Sequence, residues 1–400
     1  MGALMPLDEA LERVLASVST TPDTVEIPLL QAVGRVLAQA VVAAIDVPGE
    51  DNSAMDGYAL RAADSPGPLP VSQRIAAGTT GVALESGSVA RIFTGAPVPP
   101  GADSVVMQEN CTERAGAIVI QGEVHPGQNI RRRGQDIRAG EVVLQAGRRL
   151  RPQDLGLLAS VGCAKVQVYR PLKVAVLSTG DELVEPGAGQ LEPGQLYNSN
   201  RFTLAGLLAR LGVEFIDCGI VPDDPEATRE ALASAAREAD CVITSGGVSV
   251  GEEDHVKAQV ESLGRLDLWK LAIKPGKPLA FGAVAGTPFI GLPGNPTSVF
   301  ATFCLVARPF LLKLQGAREL ELPALSAQAA FSVPRAGARR DHLRVSLQRS
   351  NGRLIARRYG NQSSGVLSSV SHSDALAVIP AGAVIEEGDE VQVLLLDLLA

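Results

Sequence analysis

Four short loops carry the groups of this chain best suited to chemistry. They are Thr179-Gly180-Asp181-Glu182, Ser245-Gly246-Gly247-Val248-Ser249, Lys270 through Pro278, and Pro293-Gly294-Asn295-Pro296-Thr297-Ser298. Adjacent glycines let backbone N–H groups converge on an anion, and Ser249 adds a hydroxyl. Two prolines and a glycine stiffen the turn that carries Lys274 and Lys277, so these lysines lose little entropy on contact with an oxyanion. Asp181 and Glu182, and Asp254 beyond the paired glycines, can hold a divalent cation or act as acid and base. The last loop opens a long helix, whose free N–H groups and dipole favour an anion. Together this is equipment for holding a phosphate ester or oxyanion beside a metal ion. Each loop also has a blander use: a capped turn, an acidic helix start, solvated lysines on a rigid hairpin, a cap by Asn295 or Thr297. No GxGxxG or P-loop pattern occurs, so neither a Rossmann dinucleotide site nor a Walker ATPase is supported.

The elements around these loops alternate strand and helix. Lys173 to Leu177, Val213 to Gly219, Asp240 to Thr244 and Pro288 to Leu292 read as buried strands. Helices are expected over Arg201 to Leu211, capped by Asn198-Ser199-Asn200, over Glu226 to Glu238, opened by Asp223-Asp224-Pro225, and over Thr297 to Leu314. That alternation predicts a mainly parallel sheet covered by helices, with ligands beyond the carboxyl ends of its strands. Ahead of it, Leu7 to Ser19 has helical period and Pro28 to Ala38 is expected as a second short helix. Ile45 to Gly140 is a run of short strands and Gly-Pro turns, a β-rich domain, and Arg149 to Ser160 returns to helical period. After Pro323 the chain turns β-rich again, with Asn351-Gly352 as a hairpin turn, in a small separate β-domain or barrel.

At 400 residues the chain is too long for one ordinary core, and roughly two to four domains are expected. A net charge of -8 argues against a general nucleic-acid binder. Five cysteines, none in a CxxC pair, and four scattered histidines argue against a disulfide framework or a zinc site. The first residues lack the pattern of a signal peptide and no uninterrupted apolar run reaches about 20 residues, so a cytoplasmic protein with no membrane span is the expectation.

Two upstream motifs complete the set: Ser53-Ala54-Met55-Asp56-Gly57-Tyr58-Ala59 and Ile92-Phe93-Thr94-Gly95-Ala96. Arg131-Arg132-Arg133-Gly134-Gln135-Asp136 is either a solvated charged face or a phosphate grip. With Ser178-Thr179-Gly180-Asp181-Glu182-Leu183, Ser245-Gly246-Gly247-Val248-Ser249, Lys274-Pro275-Gly276-Lys277-Pro278 and Leu292-Pro293-Gly294-Asn295-Pro296, the order resembles the MoeA family of molybdopterin molybdenumtransferases, which includes the gephyrin E domain. The resemblance covers nearly the whole chain. It departs at His255, where an aromatic is common.

The resemblance implies an elongated domain (1–44 with 140–170), a β-rich domain (45–139), an α/β molybdopterin-binding domain (171–317) and a C-terminal β-barrel (318–400). It implies insertion of molybdate into adenylylated molybdopterin, with magnesium-dependent cleavage of the adenylate to AMP. It also implies a homodimer with the cleft at the subunit interface, and a possible contact with the adenylyltransferase that makes the substrate. Asp56, Thr94, Asp136 and Glu182 resemble cleft residues that meet substrate or magnesium, and Asp223 and Asp254 resemble metal or catalytic carboxylates. Lys270 and Lys274 join the catalytic set. Ser249, Lys274, Lys277 and Ser298 resemble oxyanion and phosphate ligands, with Gly246, Gly247, Pro278, Pro293, Gly294 and Asn295 as substrate-binding neighbours. Arg340 resembles an arginine facing molybdate, with Arg339 and Arg344 as rivals, and Ser363 or Ser364 resembles a further hydroxyl ligand. The rival functions are the adenylyltransferase itself and a non-catalytic scaffold of the gephyrin type.

Overall fold

Six strands make the sheet that positions the four loops, in the order Glu214–Val221, Lys173–Thr179, Cys241–Ser245, Thr287–Leu292, Pro278–Val284, Gly264–Lys270. The structure, a computed structural model, describes residues 4–21, 23–247 and 255–399. The first four strands run parallel, as the strand–helix alternation requires. The last two return antiparallel and carry the sheet to its edge. Sequence pattern alone hides these two. One begins at a proline inside the lysine loop, and the other, GRLDLWK, mixes charged and apolar residues.

Side chains alternate across the sheet and feed two cores. Val174 and Val176 pack with the Ser199–Leu211 helix and the long helix from Pro296, while Ala175 and Leu177 pack with the Pro225–Glu238 and His255–Leu263 helices. The caps are the expected ones: Asn198 accepts from the Arg201 N–H at 3.4 Å, and Asp224 accepts from Glu226 and Ala227 at 3.0 and 2.8 Å. The long helix is α over Pro296–Thr302 and Arg308–Leu314, with a π turn at Phe303–Ala307 between. It is long and apolar enough to cross a membrane by length and composition, yet nearly all of it is buried inside the protein. The Leu7–Ala16 helix packs Leu7, Ala10 and Val14 into the same core.

The region expected as a short helix from Pro28 to Ala38 is not one. Thr24–Pro28 is a strand paired antiparallel with Lys165–Tyr169, followed by a single 3-10 turn at Leu29–Gln31. Gly34 is left-handed, and the Leu37 and Ala38 amides bond to carbonyls of Arg148 and Gln167. Long-range pairing overrides the local pattern here. Val41–Val42 likewise pairs with Val142–Leu144, so both flanks of the β-rich region close on each other. Between them lies a six-stranded sheet in the order Ser104–Met107, Gly57–Leu60, Val89–Ile92, Leu69–Ile75, Ala117–Ile120, Cys111–Arg114.

The C-terminal strands close into a five-stranded barrel, because Arg340–Ser350 pairs both with Arg353–Arg358 and with Ala375–Ile379. Ala324–Ala329 and Glu390–Leu395 complete the ring. Asn351 and Gly352 take positive φ values of 49° and 75°, the hairpin their dipeptide predicts. Ile273–Lys274 pairs parallel with Arg340 and Asp341, which fastens the barrel to the α/β domain.

At that seam Leu343 and Val345 fill the barrel, while His342 and Arg344 alternate to the other face and are each 1% exposed. Burial, then Arg340, pushes the His342 imidazole down to about 4, against a smaller upward pull from a hydrogen bond with the Lys274 backbone. The folded state therefore keeps His342 neutral while the unfolded chain takes up a proton near pH 6.5. Stability from this residue is present above that pH and is lost as pH falls from about 6.5 to 4, on the order of 3 kcal/mol in all. In thermal unfolding at pH 7.5 and 4.5, His342→Asn should lose less midpoint on acidification than the parent. An equal loss would remove His342 from the seam's pH response.

Candidate active site

Parallel strands end with their carbonyl edges and connecting loops on one side, and there a cleft of about 1030 Å³ opens. It runs across the ends of four neighbouring strands. Thr179, Ser245, Pro293 and Pro278 mark successive strand ends along it. At the usual strand spacing, Thr179 and Pro278 are about 14 Å apart.

One end is acidic. Glu182 and Asp223 both line it. The turn is built by a reciprocal pair: the Asp181 amide donates to the Asp223 carboxylate at 3.3 Å, and the Asp223 amide donates to the Asp181 carboxylate at 3.1 Å. Gly180, at φ 137°, lets the Glu182 carboxylate fold back over the turn; a Cβ there would lie 2.4 Å from Glu182 Oε2. In the middle, Gly246 and Gly247 both have positive φ, and a Cβ on Gly247 would meet Val256 at 2.4 Å. Only glycine lets this turn approach Thr179 so closely, and the Gly246 amide is spent on the Leu292 carbonyl at 3.1 Å.

The other end is cationic and joins two domains. Lys274, Lys277 and Arg339 line it, with Ser298 from the long helix and Ser363 and Ser364 from the barrel. Lys274 is ion-paired with Asp341 at 3.0 Å, whereas Lys277 is exposed and in no ion pair among the described residues. The long helix starts with less anion-binding capacity than its sequence suggests. The Thr297 amide already donates to the Ser364 carbonyl at 3.0 Å, and the Asn295 side chain makes no capping bond.

Of the residues singled out from sequence, the cleft gathers Glu182, Asp223, Gly246, Gly247, Lys274, Lys277, Pro278, Pro293, Gly294, Asn295, Ser298 and Ser364. Ser249 and Asp254 lie outside the described residues. Arg340 does not line the cleft: it makes two bonds to Asp8 at 2.8 and 3.0 Å, and the neighbouring Arg339 takes the wall position. Arg344 sits behind that wall, donating to Ser369 Oγ at 3.1 Å and the Ser363 carbonyl at 3.4 Å. Lys270 is at the far edge of the sheet, opposite Pro278 in register, and also does not line the cleft.

Asp56, Thr94 and Asp136 belong to the β-rich domain and do not line the cleft. Asp56 accepts from the Thr94 amide at 2.7 Å and hydroxyl at 2.8 Å, and these donors, helped by Arg91, hold its carboxyl below the ordinary range. The arginine run beside Asp136 is engaged: Arg132 pairs with Asp51 at 2.6 Å and Arg133 with Asp46 at 2.5 Å. Sequence reasoning missed Asn198 and Asn200 as cleft residues, since both pass for a helix start, and missed Leu196 and Tyr197 altogether.

Among the described residues no three His, Cys, Asp or Glu side chains form a ready metal cage. Magnesium does not require one. It commonly takes one or two carboxylates and fills its remaining positions with water and substrate phosphates, which Glu182 and Asp223 on one cleft wall suit.

Three known families match successive parts of the chain. Residues 5–162 match the family described as MoeA N-terminal region (domain I and II), residues 175–313 a probable molybdopterin binding domain, and residues 326–396 the MoeA C-terminal region (domain IV). The chain is 42% identical over 382 residues to a molybdopterin molybdenumtransferase of Haemophilus influenzae, covering 94% of each. It is 38% identical over 387 residues to one from a Nostoc species, covering 93% of this chain and 88% of the relative. A solved molybdopterin biosynthesis MoeA protein from Pyrococcus horikoshii OT3 superposes with a TM-score of 0.84 at 34% identity, over 98% of this chain and 100% of that one.

Proposed function

The chain belongs to the MoeA family of molybdopterin molybdenumtransferases, and we propose that it inserts molybdate into adenylylated molybdopterin, cleaving the adenylate and releasing molybdenum cofactor and AMP. The observation that carries this reading is the division of one cleft into a cationic end at Lys274, Lys277 and Arg339 and an acidic end at Glu182 and Asp223. A substrate with a phosphoanhydride beside a metal oxyanion needs both.

Lys277, Lys274 and Arg339 would hold the molybdate dianion, and Ser298, Ser363 and Ser364 would orient its oxygens. At the glycine turn the Gly247 amide would face the phosphates, since the Gly246 amide already donates to the Leu292 carbonyl. Glu182 and Asp223 would hold magnesium, which when bound withdraws charge from the phosphoanhydride and eases departure of the AMP phosphate. Asp254 and Ser249 belong to the same reading as a further carboxylate and hydroxyl beyond the glycine turn.

The reading also includes a homodimer. Asp56 and Thr94 hold each other in place on the β-rich domain and, like Asp136, do not line the cleft of their own chain, so a partner's cleft is where they would meet substrate. Direct contact with the adenylyltransferase would pass on the adenylate, and residence in the cytoplasm would keep both enzymes together.

Incubated with adenylylated molybdopterin, molybdate and magnesium, the purified protein should release AMP and a molybdenum-loaded pterin, followed by nucleotide chromatography and metal analysis of the pterin fraction. Adenylylation of molybdopterin from ATP, or absence of AMP release, would overturn the assignment.

A further inference from the structure

In the β-rich domain, Gly57–Leu60 and Val89–Ile92 pair antiparallel, with Tyr58 opposite Arg91 in register. Asp56 leads into the first strand and Thr94 follows the second, so this register brings their side chains together. Both Thr94 donors go to Asp56 Oδ1, and Oδ2 accepts no protein hydrogen bond among the described residues. Asp56 and Thr94 are both exposed, which leaves that second oxygen for a ligand. A carboxylate that meets substrate needs its flanking backbone held to within about 0.5 Å.

Arg91 supplies that hold from beneath the pair. Its Nη1 donates to the Gly57 carbonyl at 3.1 Å and its Nη2 to Gln108 Oε1 at 2.6 Å. The Gln108 amide in turn donates to the Asp56 carbonyl at 3.0 Å. The same guanidinium lies 5.1 Å from the centroid of the Tyr58 ring and 4.8 Å from that of Phe93. Arg74, opposite Arg91 on the next strand, covers Phe93 at 4.6 Å. One side chain therefore grips the residue after Asp56, the residue whose amide holds Asp56, and the residue before Thr94. A planar fork can bond two acceptors while its face stays on aromatic rings, which a single ammonium cannot do.

Resting on the reading above, in which Asp56 and Thr94 meet substrate in a partner's cleft, we propose that Arg91 is a positioning residue that holds this pair in its reactive geometry. It acts through Asp56 and Thr94 rather than on the substrate.

A mutant cycle of Arg91→Met, Asp56→Asn and the double variant tests this, read as kcat and KM for AMP release from adenylylated molybdopterin with molybdate and magnesium. Arg91→Met should lower kcat ~10-fold or more with KM within ~3-fold, since misplaced groups cost rate rather than uniform binding. In the Asp56→Asn background the same change should cost less than ~2-fold, because no carboxylate is left to place. Arg91→Lys keeps the charge over the rings but grips one acceptor, and should lose kcat ~3- to 10-fold at an unchanged thermal midpoint. Hydrogen–deuterium exchange of the segment holding Thr94, followed by mass spectrometry, should quicken ~10-fold in both Arg91 variants while the α/β domain keeps the parent's protection. Parent-like kcat in both Arg91 variants, losses that multiply in the double variant, or unchanged exchange at Thr94 overturns the proposal. A slowed Asp56→Asn beside such a result would leave the transferase reading standing. Full rate in Asp56→Asn would remove the pair from the reaction and Arg91 with it, and a parent that releases no AMP would remove the transferase reading as well.

Discussion

Lys277→Ala should raise the dissociation constant for molybdate by ~10- to 100-fold at low salt and leave thermal stability nearly unchanged. The magnitude is that of one charge-assisted contact, about 1.5–3 kcal/mol. The two lysines of the cationic end differ in what else they do. Lys277 projects from the turn with no ion-pair partner among the described residues, so its removal costs the fold little. Lys274 is 3.0 Å from Asp341, whose other oxygen is buried without a partner among the described residues, and its strand fastens the barrel to the α/β domain. Lys274→Ala should therefore lose molybdate affinity and lower the unfolding midpoint together. The parent's affinity should also weaken as salt rises, with a shallower dependence in Lys277→Ala, because one exposed charge no longer contributes. Equilibrium dialysis with molybdate at two ionic strengths measures both effects. An unchanged affinity in Lys277→Ala would take the oxyanion away from this end of the cleft.

That contrast between two lysines three residues apart also marks where the sequence stops being legible. Features set by neighbours in the chain could be read directly. Asn198 and Asp224 cap helices because a side-chain oxygen reaches an amide two or three residues on. Asn351-Gly352 turns a hairpin because both residues tolerate positive φ. The strand-end loops could be read as one site because parallel strands bring their carboxyl ends to one edge whatever their separation in the chain. Features set by distant partners could not be read. Arg340 is claimed by Asp8, 332 residues away, and Arg339, the residue before the strand, takes the cleft wall. Motif resemblance alone could not choose between these adjacent arginines, because the choice is made by Asp8 at the other end of the chain. The segment from Pro28 to Ala38 has a helical look, yet the amides of Leu29, Gly34, Leu37 and Ala38 are spent on carbonyls of Ala164, Leu150, Arg148 and Gln167. Asn200 looks like a helix start and becomes a cleft residue only because Gly294 lies beside it.

Replacing the acidic end should cost more than replacing the cationic one. Asp223→Asn and Glu182→Gln, each nearly isosteric, are expected to slow AMP release from adenylylated molybdopterin by ~100-fold or more, the scale typical of losing a principal electrostatic contact to a transition state. Asp223→Asn keeps a side-chain oxygen to accept from the Asp181 amide, so the reciprocal turn should survive and the loss should report charge rather than shape. Glu182→Gln keeps the volume that Gly180 makes room for. Because the lysine end begins about 14 Å away across three strand spacings, molybdate affinity should be unaffected in both variants. Raising magnesium should recover part of the rate, since a weakened metal site is refilled by mass action. The pattern that supports the division of labour is therefore a fall in AMP release, a rise in the magnesium needed for half-maximal rate, and constant molybdate binding. Full turnover at ordinary magnesium in both variants would remove these carboxylates from the chemistry. A parallel loss of molybdate affinity would mean that the two ends of the cleft act as one site.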